Sequence, residues 1–247
     1  MVPRMMNDTA GNMIKDWCQE HGVTVHTSTK VNAIEKHGNA LRVVLNSGAT
    51  VDVDLVVSAT GVRPNIELVK DSGIATDQGI LVNRQMQTND PSIFAAGDVA
   101  QGIDFSTGEY SVQAIQPTAA DHGQLAARNM AGQKGALHRG CVNMNVLDTL
   151  GLISSSFGLW MGKAGGDSAE LLNRERYRYL NLQFEDDVLV GATSLGLTQH
   201  VGVLRGLIQT KTRLGAWKDK LVADPTRIME AYLASTQAVG FNAGVLK

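Results

Sequence analysis

Short apolar runs separated by glycine and proline turns fill the chain as far as Gly140, and from Cys141 the texture changes. Asn7-Asp8-Thr9 is a helix start and Gly22 a stop, so Asp8 to His21 reads as a helix, followed by a short strand, Val23 to His26. Val31 to Ile34, Ala40 to Leu45 and Thr50 to Val53 read as three brief strands. Turns at His37-Gly38-Asn39 and Asn46-Ser47-Gly48 join them into an antiparallel meander packed on an α/β sheet. Leu55 to Thr60 is a buried apolar run closed by Gly61 and a proline turn. Asn65 to Gly73 is expected as a short helix, and Ile80 to Val82 as a strand after the Gln78-Gly79 turn. Pro91 to Ala100 carries an apolar core with no alternation, the pattern of a fully buried strand.

Ala100 to Gln113, rich in Gly, Ser and Thr, reads as a loop. A helix follows from Gln116, with proline in its first turn, small residues on one face and Gly132 as its stop. Gly132, Gly135 and Gly140 mark a linker. Beyond it, Val142 to Val146, Leu152 to Trp160, Tyr177 to Phe184 and Val188 to Ser194 read as strands, the last two joined across Glu185-Asp186-Asp187. Val201 to Lys211 and Pro225 to Gln237 read as helices. The expected fold is α/β as far as the linker, followed by an α+β domain of antiparallel sheet and helices.

Composition narrows the partners. The 247 residues are 43% hydrophobic and 19% charged with a formal net charge of −2, so no excess charge steers the chain to nucleic acid or an anionic membrane. No apolar run approaches the roughly 18–20 residues of a membrane span, and Met1 to Gly22 lacks the apolar core of a signal peptide. Cys18 and Cys141 form no C-x-x-C motif. They read as buried thiols in a reducing compartment, which makes the cytoplasm the expected location, and no metal-ligand set is identified.

Candidate chemistry concentrates where the Ile93-Phe94-Ala95-Ala96 run meets Gly97-Asp98. A carboxylate just past the carboxyl end of a strand sits where open α/β sheets bind ligands. Gly97 permits close approach to the backbone and Asp98 offers an acceptor for a hydroxyl. Other residues fit blander roles. His200 ahead of a helix is expected to cap it or face solvent, His122 to pack, and Cys18 to be inert. Asp186-Asp187 reads as turn chemistry, and Arg174, Arg176 and Arg178 as a solvated edge strand.

Three pieces in this order, Ala59-Thr60-Gly61-Val62-Arg63-Pro64-Asn65, Thr88 through Asp98, and the helix from Gln116, resemble the FAD-dependent pyridine nucleotide oxidoreductases. These are flavoprotein reductases with two dinucleotide-binding domains, and the likeness runs from about residue 8 to 132. The resemblance implies that Asp98 hydrogen-bonds a hydroxyl of the FAD ribityl chain while Gly97 lets the linker pass. The helix at Gln116, Pro117 and Thr118 would point its amino end at the flavin ring, from a cleft shared with Asp98. Thr60 and Gly61 would lie close to the adenine side. The positive end of a helix dipole suits that place, because reduced flavin carries negative charge near the ring edge it would meet.

The resemblance further implies residues 1–57 as a partial NAD(P)H-binding domain, 58–134 as the carboxyl-terminal part of an FAD-binding domain, and 140–247 as an interface domain forming a homodimer. No G-x-G-x-x-G turn occurs in the sequence, so the chain reads as part of a longer reductase: a truncated reading frame, an excised piece or one part of a split protein. No His-Pro-Thr-x-x-x-Glu stretch is present, which leans against the lipoamide-type disulfide reductases. The acceptor stays open among an electron-carrier protein, dioxygen and a disulfide, as does the choice of NADH or NADPH. A second reading is a non-catalytic dimerisation scaffold, or half of a split flavoenzyme.

Overall fold

The computed structural model describes residues 1–133 and 135–244, with side chains as far as Thr236. The first helix, α1 (Asp8–Glu20), begins where Asn7 accepts a hydrogen bond from the Ala10 amide at 3.0 Å, as the sequence leads one to expect of an Asn N-cap. A three-stranded antiparallel sheet follows in the order β1 (Val31–His37), β2 (Ala40–Leu45), β3 (Thr50–Val53). Two-residue β4 (Ile80–Leu81) pairs in parallel with β5 (Ala100–Ile103), which pairs antiparallel with β6 (Tyr110–Ser111). Helix α2 (Gln116–Met130) has proline in its first turn and ends just before Gly132, whose φ of +82° only glycine adopts without strain.

The carboxyl-terminal part is a five-stranded antiparallel sheet. Its members are β7 (Met144–Thr149), β8 (Leu152–Gly158), β9 (Asp167–Asn173), β10 (Arg178–Glu185) and β11 (Val188–Leu195), in the spatial order β7-β8-β11-β10-β9. The helices α3 (Val201–Thr210), α4 (Trp217–Ala223) and α5 (Ile228–Gly244) complete it. One sheet face packs Phe157, Leu180, Leu182, Phe184 and Ala192 against Leu204, Leu207, Leu221 and Ile228 of those helices. On the other face Leu152, Tyr179 and Leu195 meet Met6, Ala10, Met13, Ile14 and Cys18 on and beside α1. The architecture is mixed α/β.

Tyr179 joins α1 to the sheet. It is 1% exposed, and its hydroxyl accepts a hydrogen bond from Asn7 Nδ2 at 2.8 Å. Burial, reinforced by Glu170, pushes this hydroxyl up to about 12. A folded-state value above the unfolded one gives stability that is complete below about pH 10 and is lost as the pH rises towards 12, on the order of 2 kcal/mol in all. Tyr179→Phe is expected to flatten that alkaline loss in urea titrations at about pH 9 and pH 11.5. An unchanged slope would show that another group carries it.

Two expected strands fail for want of neighbouring strands. Leu55 to Thr60 is not a strand, and Leu55 and Val57 are 75% and 77% exposed. Ile93 to Ala96 contributes only a bridge from Phe94 to Gln87, and Ile93 is 41% exposed. An apolar run forms a buried strand only when a sheet supplies neighbours on both sides; Leu55 to Thr60 has none among the described residues, and Ile93 to Ala96 has one side only, residues 86–88. Val23 to His26 likewise has no strand geometry. Asn65 to Gly73 holds only a 3-10 turn at Glu67–Val69.

Other differences are of extent. The region read as a loop, Ala100 to Gln113, contains β5 and β6. The first strand after the linker starts at Met144 rather than Val142, and Pro225 to Arg227 is a 3-10 turn leading into α5. The arginine cluster is no edge strand. Arg174 and Arg176 lie in the turn between β9 and β10, and Arg178 opens β10. The edge strand beside β10 is β9, which sequence reading missed because its residues are mostly polar and exposed.

Candidate functional site

The backbone after Ala96 turns through a 3-10 turn, Gly97–Val99, with Gly97 at a φ of +75°. This turn packs against α2, and a Cβ built on Gly97 would lie 3.5 Å from that of Ala119. The turn and the first turn of α2 therefore meet. The carboxylate of Asp98 is exposed beside them.

No side chain caps the amino end of α2, where Ile115 occupies the N-cap in an extended conformation. The first-turn N–H groups of a helix have no intrahelical acceptor, and Pro117 contributes none. The amides of Gln116 and Thr118 are thus left to whatever lies in front of the helix. There, Met5, Ile115, Pro117 and the β7 residues Met144, Asn145, Val146 and Leu147 line an apolar groove of about 370 Å³. Its size falls in the ordinary range of small-molecule sites, roughly 300–1,000 Å³. Asp98 is not among the residues lining this groove, so the expected shared cleft is present on the Pro117 side only.

The remaining expected site residues are placed as follows. Gln116 is exposed, Pro117 half-buried and Thr118 buried. Thr60 and Gly61 lie in an exposed stretch without regular secondary structure, Gly61 at a φ of +100°. A Cβ on Gly61 would meet nothing within 4 Å, so no described element backs that pair. His200 is exposed at the start of α3 and makes no side-chain cap bond, matching a solvent-facing role. Cys18 is buried in the apolar contact of α1 with the sheet.

One constellation escaped sequence reading. On the flank of α2, His122 Nε2 lies 3.2 Å from Cys141 Sγ, and His138 Nε2 lies 4.0 Å from the same sulfur. Burial, with His138 close by, lowers His122 to about 4, so its imidazole is neutral at pH 7. Burial pushes the Cys141 thiol up to about 11 against the opposing pull of Thr118. The signal that was available is the His138-x-x-Cys141 spacing, close enough in sequence to face one centre. What hid it was the third member, brought in from α2.

A family model described as pyridine nucleotide-disulphide oxidoreductase matches residues 1–123. The chain is 30% identical over 229 residues to the NADH-dependent phenylglyoxylate dehydrogenase subunit epsilon of Aromatoleum evansii, covering 92% of this chain and 54% of that protein. It is 35% identical over 133 residues to the NADH oxidase of Methanocaldococcus jannaschii, covering 53% of this chain and 30% of that one. Among solved structures, the NAD-dependent persulfide reductase from A. fulgidus superimposes with a TM-score of 0.77 at 25% identity, over 87% of this chain and 43% of that chain. The covalent putidaredoxin reductase–putidaredoxin complex shares the fold with a TM-score of 0.81 at 20% identity, over 95% of this chain and 56% of that chain. The chain spans about half, or less, of the length of these relatives.

Proposed function

The chain belongs to the pyridine nucleotide-disulphide oxidoreductase family, and we propose that it forms part of an FAD-dependent NAD(P)H oxidoreductase that passes electrons through flavin to an acceptor. The observation that carries this reading is the uncapped amino end of α2 opening on the apolar groove at Pro117, with the Gly97–Val99 turn packed against the same helix. A flat ring with one anionic edge fits that combination of apolar walls and unpaired amides. Bound FAD would supply the acceptor for hydride from the nicotinamide and the store from which electrons leave.

The chain's own residues would hold and orient it. Met5, Ile115, Pro117 and Met144 would exclude water from the ring. The amides of Gln116 and Thr118 would stabilise negative charge at its edge without reorganising. Asp98, exposed in the free chain, would accept a hydrogen bond from the ribityl tail, which would then cover it. Thr60 and Gly61 would approach the adenine side.

On this reading residues 1–57 and 58–134 belong to the NAD(P)H- and FAD-binding domains. Residues 140–247 form the interface domain of a homodimer, and a small electron-carrier protein is the favoured partner. Among the described residues no helix is long and apolar enough to cross a membrane.

The exposure of Leu55, Val57 and Val62 favours a second reading for the isolated chain. Such a run pairs when strands on either side are provided, so the cradle would be completed by another polypeptide segment, as in a split flavoenzyme. Equilibrium dialysis against FAD separates the two. Saturable flavin uptake by these 247 residues supports a self-sufficient site. Uptake only after addition of a complementing dinucleotide-binding segment supports the split form, and no uptake in either case overturns the flavin reading. Asp98→Ala is expected to weaken FAD binding in the competent form by one charge-assisted hydrogen bond, about 1.5–3 kcal/mol. Unaltered affinity would remove Asp98 from the site.

A further inference from the structure

We infer that His122, His138 and Cys141 form a binding site for one zinc-class divalent cation, seated between α2 and the segment leading into β7. Their ligand atoms all lie within 4.8 Å of one another, with the two sulfur-to-nitrogen separations at 3.2 and 4.0 Å. Zinc bond lengths place tetrahedral nitrogen and sulfur donors about 3.3–3.6 Å apart, so the two separations straddle the required spacing. Small rotations of His138, the less buried of the two rings, suffice to close it.

The donor set is selective. Two imidazoles and a thiolate suit zinc and its neighbours, whereas magnesium and calcium take oxygen ligands. The set comes from two segments that the fold holds by other means. His122, 2% exposed, is carried on α2. Cys141 is fixed through its backbone, its amide donating to the Ile103 carbonyl at 3.0 Å and its carbonyl accepting from the Phe105 amide at 2.9 Å. The Nδ1 atom of His122 is buried without a hydrogen-bond partner, so what anchors the ring is whatever its Nε2 meets. A thiol is a weak partner for that task, and a coordinated cation is a strong one.

A route in is present. His138 lines an open cavity of about 330 Å³ together with Asp121, Gln124, Arg139 and Gly140. A cation entering there would displace the thiol proton to solvent and keep a water molecule as its fourth ligand. The centre stands apart from the groove at Pro117, since none of the three ligands lines that groove. Its expected effect is to clasp α2 to the linker ahead of the five-stranded sheet.

The test uses the whole chain, stripped with EDTA and titrated separately with Co²⁺ and Zn²⁺. One equivalent of Co²⁺ is expected to bind with visible ligand-field bands and a thiolate-to-metal charge-transfer band, and Zn²⁺ to displace it and raise the melting temperature. Cys141→Ser is expected to abolish the charge-transfer band and weaken Zn²⁺ binding at least about 100-fold, a loss no smaller than that from a supporting group. His138→Gln, at a half-buried position, is expected to weaken binding while leaving the circular dichroism unchanged, and it keeps the test decisive should the serine variant fail to fold. No saturable uptake of either metal, or uptake unchanged in His138→Gln, overturns the proposal. Flavin content plays no part in these readouts.

Discussion

Gly191→Ala is expected to lower the stability of the chain by about 3 kcal/mol or more, because the added methyl has nowhere to go. A Cβ at this position would lie 2.1 Å from the Leu159 carbonyl oxygen and 2.2 Å from its carbon. Both are backbone atoms, so no side-chain rotation relieves the clash. Gly191 pairs with Gly158 across β11 and β8, and just beyond that pair the Leu159 amide donates to the Val190 carbonyl at 2.9 Å. The two backbones therefore cross at van der Waals contact, and a methyl between them must push β8 away from β11. β7 hangs on β8 and supplies Met144 to Leu147 to the groove at Pro117, so the same displacement is expected to weaken flavin retention. Differential scanning calorimetry should show the midpoint falling by about 6–12 °C, using the usual sensitivity of chains of this size. A shift within error would mean that the strands separate freely at this crossing.

Leu182→Ala is the second change with a large expected cost, about 3–4 kcal/mol. Leu182 is fully buried in the middle of β10, and its cross-strand neighbours are Ala169 on β9 and Ala192 on β11. Two alanines flank it, so its side chain supplies the bulk at this register of the three strands, in the cluster that also holds Leu204, Leu207 and Ile228. Truncation removes the buried methyls, and the small neighbours cannot collapse into the cavity. Leu182→Met keeps the volume and is expected to cost less than about 1.5 kcal/mol. Urea titrations of both variants check the contrast, and equal losses would show that the site is loosely packed.

Local chemistry made some elements legible. The Asn7 cap fixed the start of α1, and Pro117 and Gly132 bracketed α2. The turn residues Glu185-Asp186-Asp187 between two strand-forming runs exposed the hairpin, whose tip at Asp186 takes the left-handed conformation that turn residues adopt. Each of these signals acts within a few residues. The same locality explains the misreadings, since Leu55 to Thr60 and Ile93 to Ala96 are apolar enough for central strands, and their neighbours decide whether they become so. The Gly97-Asp98 pair was legible as a motif, and the fold packs its turn on α2. The depth of Asp98 was not legible, because exposure depends on what covers it.

Motifs and caps, whose physics is contained in a handful of consecutive residues, were enough to read the family and the local elements. That α1 docks on Tyr179, far along the chain, and that His122 reaches His138 and Cys141 became visible in the folded chain. Those meetings are set by how helices and sheets fill space against one another. Hydrophobic periodicity records which face of an element is buried and carries no record of the partner that buries it.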